Sequence, residues 1–190
     1  MVDGAAQLMW MFHSFESLGA WDASQREANM LDGGAHFYDT YECADGEYIS
    51  VGSIEPQFYA LLKEKAGLSE ADFGDQNNQG LWPGMKEKLG EVFKSKTQAE
   101  WCALMEGTDV CFAPVLSFTD APAHPANVAR KTYLEVDGVV QPAPAPRFSR
   151  TPGAVAHGAR GLGEDTDAVL SAMGFAEQDI ASLRANGAIS

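Results

Sequence analysis

Cysteine is scarce in this chain. Three residues, Cys43, Cys102 and Cys111, are too few for a disulfide scaffold and lack the spacing of a zinc site, so they read as small core residues in a reducing compartment. Histidine is nearly as rare. His13, His36, His124 and His157 have no ligand-spaced His, Cys or carboxylate partner, which excludes a metal site and leaves them as surface or packing residues. Positive charge is also short, with 13 Lys and Arg against 27 Asp and Glu, a formal net charge of −14. That balance excludes the basic footprint a nucleic-acid binder needs, and it repels a polyphosphate ligand at long range. The chain also lacks a basic, apolar leader and any apolar run long enough to span a bilayer. A soluble, cytoplasmic protein with no membrane partner is expected.

What is present concentrates between Gly33 and Leu62. Phe37 to Cys43 is rich in aromatics, Ala44-Asp45-Gly46-Glu47 has an Asp-Gly turn at its centre, and Tyr48 to Ile54 alternates, with Ile49, Val51 and Ser53 on one face. This predicts a hairpin. Pro56 suits the first turn of a helix, and Phe58, Leu61, Leu62 and Ala66 carry helical spacing after it. Glu55 is therefore presented at a strand-to-helix corner. From the residues alone, its simplest role is an acidic group at a helix N-terminus, stabilised by the helix dipole.

The run GGAHFYDTYECADGEYISVGSIEPQFYALL, and Glu-Pro-Gln-Phe within it above all, resembles the corresponding stretch of the α-methylacyl-CoA racemases, in the family III CoA-transferase superfamily. EWCALMEGTDVCFAPVLSF, EVDGVVQPAPAPRFSRTPG and GEDTDAVLSAMGF extend the resemblance over nearly the whole chain. Several long motifs in the right order are more specific than one short pattern. The resemblance is to the C-terminal half of such racemases, with VDGAAQL falling inside the last helix of a large N-terminal domain.

The remaining sequence fills in a fold. Val2 to Ser17 reads as a helix whose apolar face, Leu8, Met9, Met11, Phe12 and Phe15, calls for something to pack against; Gly19 to Met30 is irregular, with Trp21 as an anchor. Ser69 to Gln79 reads as a polar loop, Trp82 to Ser95 as a helix with Leu81, Met85, Leu89, Val92 and Phe93 on one face, and Gln98 to Met105 as a helix boxed by Thr97 and Glu100. Val110 to Phe118 is a strand that Pro114 confines to an edge. Short helical pieces follow to Arg130, then a hairpin about Asp137-Gly138, an extended Pro142–Pro146 run, a strap to Gly163, and helices over 166–173 and 176–185. The expected fold class is α+β: a small domain with a β-hairpin, a short antiparallel sheet and packed helices over 32–141. It is flanked by a terminal helix and linker of the large domain over 1–31 and by a strap and helices over 142–190, both of which would pack on that large domain.

The resemblance implies an isomerase that epimerises the α-carbon of 2-methylacyl-CoA thioesters through an enolate. It implies no metal and no cofactor beyond the coenzyme A of the substrate. Glu55 would orient a catalytic histidine of the large domain, and Met30, Leu31, Tyr38 and Ile54 would line the acyl side of the site. From patterning alone, Leu31, Tyr38 and Ile54 are better read as hairpin core. Arg147, Arg150 and Arg160 could meet phosphates or an acidic surface. The implied partners are an acyl-CoA, a large-domain chain or second subunit, and a homo-oligomer. Two further readings stay open: a family III CoA-transferase fragment, and a non-catalytic interaction or dimerisation module.

Overall fold

The computed structural model describes residues 1–189, which form two compact units, the first Met1–Leu116 and the second over 117–189. The boundary at Leu116 falls inside the segment 32–141 expected as one small domain.

The first unit opens with α1 (Val2–Leu8) and α2 (Trp10–Ser17), in place of one expected helix; the break is at Met9, which closes the first and caps the second. Neither helix has a buried residue, and Val2, Leu8, Trp10 and Leu18 stand open to solvent. Then comes the hairpin, β1 (Tyr38–Glu42) and β2 (Tyr48–Gly52), registered with Tyr38 opposite Gly52 and Glu42 opposite Tyr48. Its turn closes through the Cys43 amide on the Glu47 carbonyl at 2.7 Å, with Gly46 in the left-handed region that the Asp-Gly pair was expected to supply. Next are α3 (Pro56–Ala66), α4 (Glu70–Phe73), α5 (Trp82–Phe93) and α6 (Gln98–Met105). The stretch read as a loop over Ser69–Gln79 thus contains a one-turn helix, because Ser69 accepts the Asp72 amide and starts it. The capping box of Thr97 and Glu100 forms as expected. Strand β3 (Phe112–Val115) pairs antiparallel with β2 and lies at the sheet edge, where Pro114 costs no ladder bond.

Alternation on β2 sends Ile49 and Val51 into a core shared with buried residues of α3, α5 and α6, and Ser53, just past the strand, is buried on the same side. On α5, Trp82, Met85, Leu89 and Phe93 are buried, while Leu81, expected on that face, is largely exposed. On α3 the buried residues are Tyr59 and Leu62; Phe58 is only half-buried. Cys43 is buried and Cys102 half-buried, but Cys111, also expected in the core, is exposed, because its backbone at φ 59° carries the chain out of the core just before β3. Burial pushes the Cys43 thiol up to about 11.

His36 lies at the centre of this core with no solvent exposure. Its ring meets Phe37 and Tyr59 edge-on, with centroids 5.1 and 5.5 Å away, and Phe37 meets Trp82 in the same way at 5.8 Å. The Tyr59 hydroxyl donates to the Phe73 carbonyl at 2.9 Å, so Nε2 of His36, 2.8 Å from the same oxygen, must be the protonated nitrogen. Nδ1 is left as a buried acceptor without a partner. His36 is thus a packing residue whose neutral form the site demands.

The second unit holds α7 (Pro125–Arg130), the hairpin β4 (Tyr133–Val136) and β5 (Val139–Pro142), the strap, and α8 (Thr166–Ala172) and α9 (Glu177–Ala185). Asp137 and Gly138 both take positive φ, the requirement of a two-residue hairpin turn. The Gly158 amide donates to Asp137 Oδ2 at 3.0 Å, which ties the strap to that turn. Arg184 reaches from α9 to the Asp167 carboxylate of α8 at 2.8 and 3.1 Å.

Burial lowers the His36 imidazole from 6.5 to about 4. Between those values the unfolded chain takes a proton that the folded chain refuses, so this stability is complete above pH 6.5 and is lost as pH falls towards 4. His36→Phe keeps the ring contacts and cannot titrate. On moving from pH 7 to pH 5, urea unfolding should show the parent losing about 2 kcal/mol more than the variant; equal losses would contradict this account of the histidine.

Candidate functional site

The strand-to-helix corner is built from backbone groups that the sheet leaves over. Beyond β2 the Ser53 amide donates to the Phe37 carbonyl at 3.0 Å, and its hydroxyl donates to the Val110 carbonyl at 2.5 Å. The carbonyls of Ser53 and Ile54 have no strand to pair with. Both accept from the buried Gln76 side-chain amide, at 3.0 and 2.9 Å, and the Gln76 carbonyl in turn accepts from the Trp82 indole at 2.8 Å. Glu55 follows as the N-cap of α3 in extended conformation (φ −74°, ψ 143°), its carbonyl accepting the Phe58 and Tyr59 amides at 3.0 Å, with Pro56 in the first turn. Its carboxylate is exposed and, among the described residues, has no hydrogen-bond or ion-pair partner. The backbone of Glu55 caps the helix; its side chain does not.

Ile54, Met30 and Leu31 gather beside this corner in an apolar cleft of about 230 Å³ completed by Phe15, Ala20 and Trp21. Trp21 is fixed edge-on against Phe12 at 4.9 Å. The loop carrying Met30 and Leu31 is held by buried Asn29. Its Oδ1 accepts the Asp22 amide at 2.7 Å, and its Nδ2 donates to the Asp22 carbonyl and to Asp32 Oδ2. Gly34 lets the loop close, since a Cβ there would stand 2.6 Å from the Asn29 carbonyl oxygen.

Tyr38 is not in that cleft. It lines a separate hollow of about 380 Å³ with Asp39, Ser50, Gly52, Cys111 and Phe112, its ring lying against the bare face of Gly52. The Cys111 thiol in this hollow is pushed up by burial and then by the charges of Glu55 and Asp109. The five residues singled out from the sequence therefore fall into a trio in one cleft, Tyr38 in a separate hollow, and Glu55 at the corner directly after Ile54, on the lining of neither. Phe15, Ala20 and Gln76 carried no functional signal. Their roles arise from contacts distant in sequence, and only the Trp21 anchor was visible beforehand. Among the described residues no three His, Cys, Asp or Glu side chains are grouped as metal ligands would be, and no helix is long and apolar enough to cross a membrane.

Residues 1–166 match the model of CoA-transferase family III. The chain is 44% identical over 190 residues to the α-methylacyl-CoA racemase of Mus musculus and 41% identical over 189 residues to that of Homo sapiens, in each case covering 98% of this chain and 49% of the relative. It thus spans about half the length of these curated relatives. Among solved structures, a CaiB/BaiF family protein from Brucella suis superposes with a TM-score of 0.66 at 18% identity, covering 85% of this chain and 43% of that one, a likeness of fold. By its sequence, this chain belongs to CoA-transferase family III.

Proposed function

We propose that this chain is the C-terminal part of an α-methylacyl-CoA racemase, acting on 2-methylacyl-CoA thioesters in the cytoplasm as part of fatty-acid metabolism. The observation that carries the reading is the unpartnered Glu55 carboxylate, held at a rigid corner next to the apolar cleft of Met30, Leu31 and Ile54. Identity of 44% to a racemase across the chain supports it.

The thioester makes the α-proton acidic. A base takes that proton, the electron pair moves into a planar enolate, and an acid returns a proton to the opposite face. One carboxylate at one corner cannot serve both faces. In this reading the two acid/base groups and the coenzyme A phosphates are held by the portion corresponding to the other half of the racemase, and Glu55 accepts a hydrogen bond from the catalytic histidine there, fixing its ring and tautomer. The acyl tail lies along Met30, Leu31 and Ile54, with Tyr38 on the far side of the corner; methionine suits varied tails. No metal or redox cofactor enters these steps.

A transferase reading shares the family and fold. The two differ in chemistry, since a racemase exchanges the α-proton with solvent and needs no acceptor acid.

The open apolar side of α1 and α2 supports association with a large-domain chain or a second copy. Sedimentation at micromolar concentration should show species heavier than 20.4 kDa; a single species of monomer mass would count against this assembly.

The decisive assay is α-proton exchange in deuterated water with a chiral 2-methylacyl-CoA. The chain alone should give none, and mixing with a chain supplying the N-terminal racemase half should restore it. Glu55→Gln should then lower the rate by about 10- to 100-fold and shift the pH–rate profile while leaving unfolding unchanged. Exchange by the chain alone, abolished by Glu55→Gln, would instead make Glu55 a base in its own right.

A further inference from the structure

Carboxylates outnumber cations two to one in this sequence, so free positive charge should be hard to find. Every lysine from Lys63 to Lys94 has a carboxylate partner, as do Arg160 and Arg184, and Lys96 lies over the Trp101 ring. The stretch 130–150 departs from this. Among the described residues, Arg130, Lys131, Arg147 and Arg150 have no carboxylate within ion-pair distance; outside this stretch the same holds only for Arg26 and for Lys96 over its tryptophan ring.

Two of these four cations line one groove. It has a volume of about 580 Å³, within the range of small-ligand sites, and its wall is apolar: Tyr133, Leu134, Pro144, Pro152 and Val155, with no acidic residue. Its geometry is fixed from two sides. The Arg147 guanidinium donates to the Lys131 carbonyl at 3.0 Å, which sets both cations at the same end of the hairpin, and Lys131 itself sits in the left-handed region at φ 51°. On the other side, Gly153 brings the strap against Pro144 so closely that a Cβ there would stand 2.9 Å from the proline ring.

We propose that this groove in the second unit binds a small amphiphilic carboxylate, its head held by Lys131 and Arg147 and its chain laid along Tyr133, Leu134, Pro144 and Val155. Charge complementarity selects an anion, since the groove concentrates cations that the rest of the chain would neutralise. Guanidinium geometry favours a planar two-oxygen head. The apolar wall selects a ligand with a hydrocarbon body over inorganic phosphate or a polyphosphate. The groove shares no residue with the Glu55 corner, and the proposal does not rest on the racemase reading.

The test titrates the full chain with decanoate, following backbone amides by NMR, with decanol and inorganic phosphate as controls. Saturable shifts confined to 131–155, at least tenfold weaker with decanol and absent with phosphate, are expected. Lys131→Gln should weaken decanoate at least fivefold. Among the described residues Lys131 makes no side-chain hydrogen bond, so this variant keeps the test open if Arg147→Gln fails to fold. Gly153→Val should weaken decanoate and decanol alike by displacing the wall. Equal binding of decanoate and decanol, indifference to Lys131→Gln, or shifts spread over the first unit would overturn the proposal.

Discussion

Two carbonyl groups determine how this molecule presents its candidate site. Where β2 ends, Ser53 and Ile54 turn out of the sheet and their oxygens lose any strand partner inside a protein interior, where an unmade bond costs about 1–3 kcal/mol each. One side chain, Gln76, answers both from 22 and 23 residues away, and it is itself anchored by Trp82 through its own carbonyl. Everything next to Glu55 follows from that clamp. With Ser53 bonded also to Val110, the corner is tied to α4's exit, to α5 and to the entry of β3 at once. An exposed carboxylate can be held in register in this way without making any bond of its own.

The same economy governs the core beneath. His36, Tyr59 and the Phe73 carbonyl form a short polar chain in an aromatic setting, and the Tyr41 hydroxyl donates to the His36 carbonyl at 2.6 Å. Burial raises the ionisation of both tyrosines, so each serves as a neutral donor. These bonds lock the start of β1 onto α3 and α4, which places the hairpin and the Glu55 helix as one body.

Much of this was legible beforehand, and for identifiable reasons. Asp45-Gly46, Thr97 with Glu100, Pro114 and Asp137-Gly138 encode their structures within a few residues, so hairpins, capping box and edge strand could be read directly. Glu55 at a strand-to-helix corner could be read too, from Pro56. What could not be read depends on distance. Tyr59, not Phe58, faces the core because His36 and Phe73 give its hydroxyl partners, and Gln76 looks like any loop glutamine until the two carbonyls it serves are known. The α1–α2 break at Met9 likewise has no proline or glycine to announce it. Tyr38 was grouped with Leu31 and Ile54 on resemblance, yet within this chain it lines a different hollow, because its strand neighbour is Gly52 and not the Asn29 loop.

Gln76 sets the corner on which Glu55 stands. Gln76→Met keeps the length of the side chain and removes both donors, so amide hydrogen exchange on that variant is the most direct test. The account predicts that the amides of Ile54, Phe58 and Tyr59 lose protection by about tenfold or more, while Ile49 and Val51 in the sheet change only by the global loss of stability. Retained protection at the corner, or a uniform loss across the unit, would contradict it.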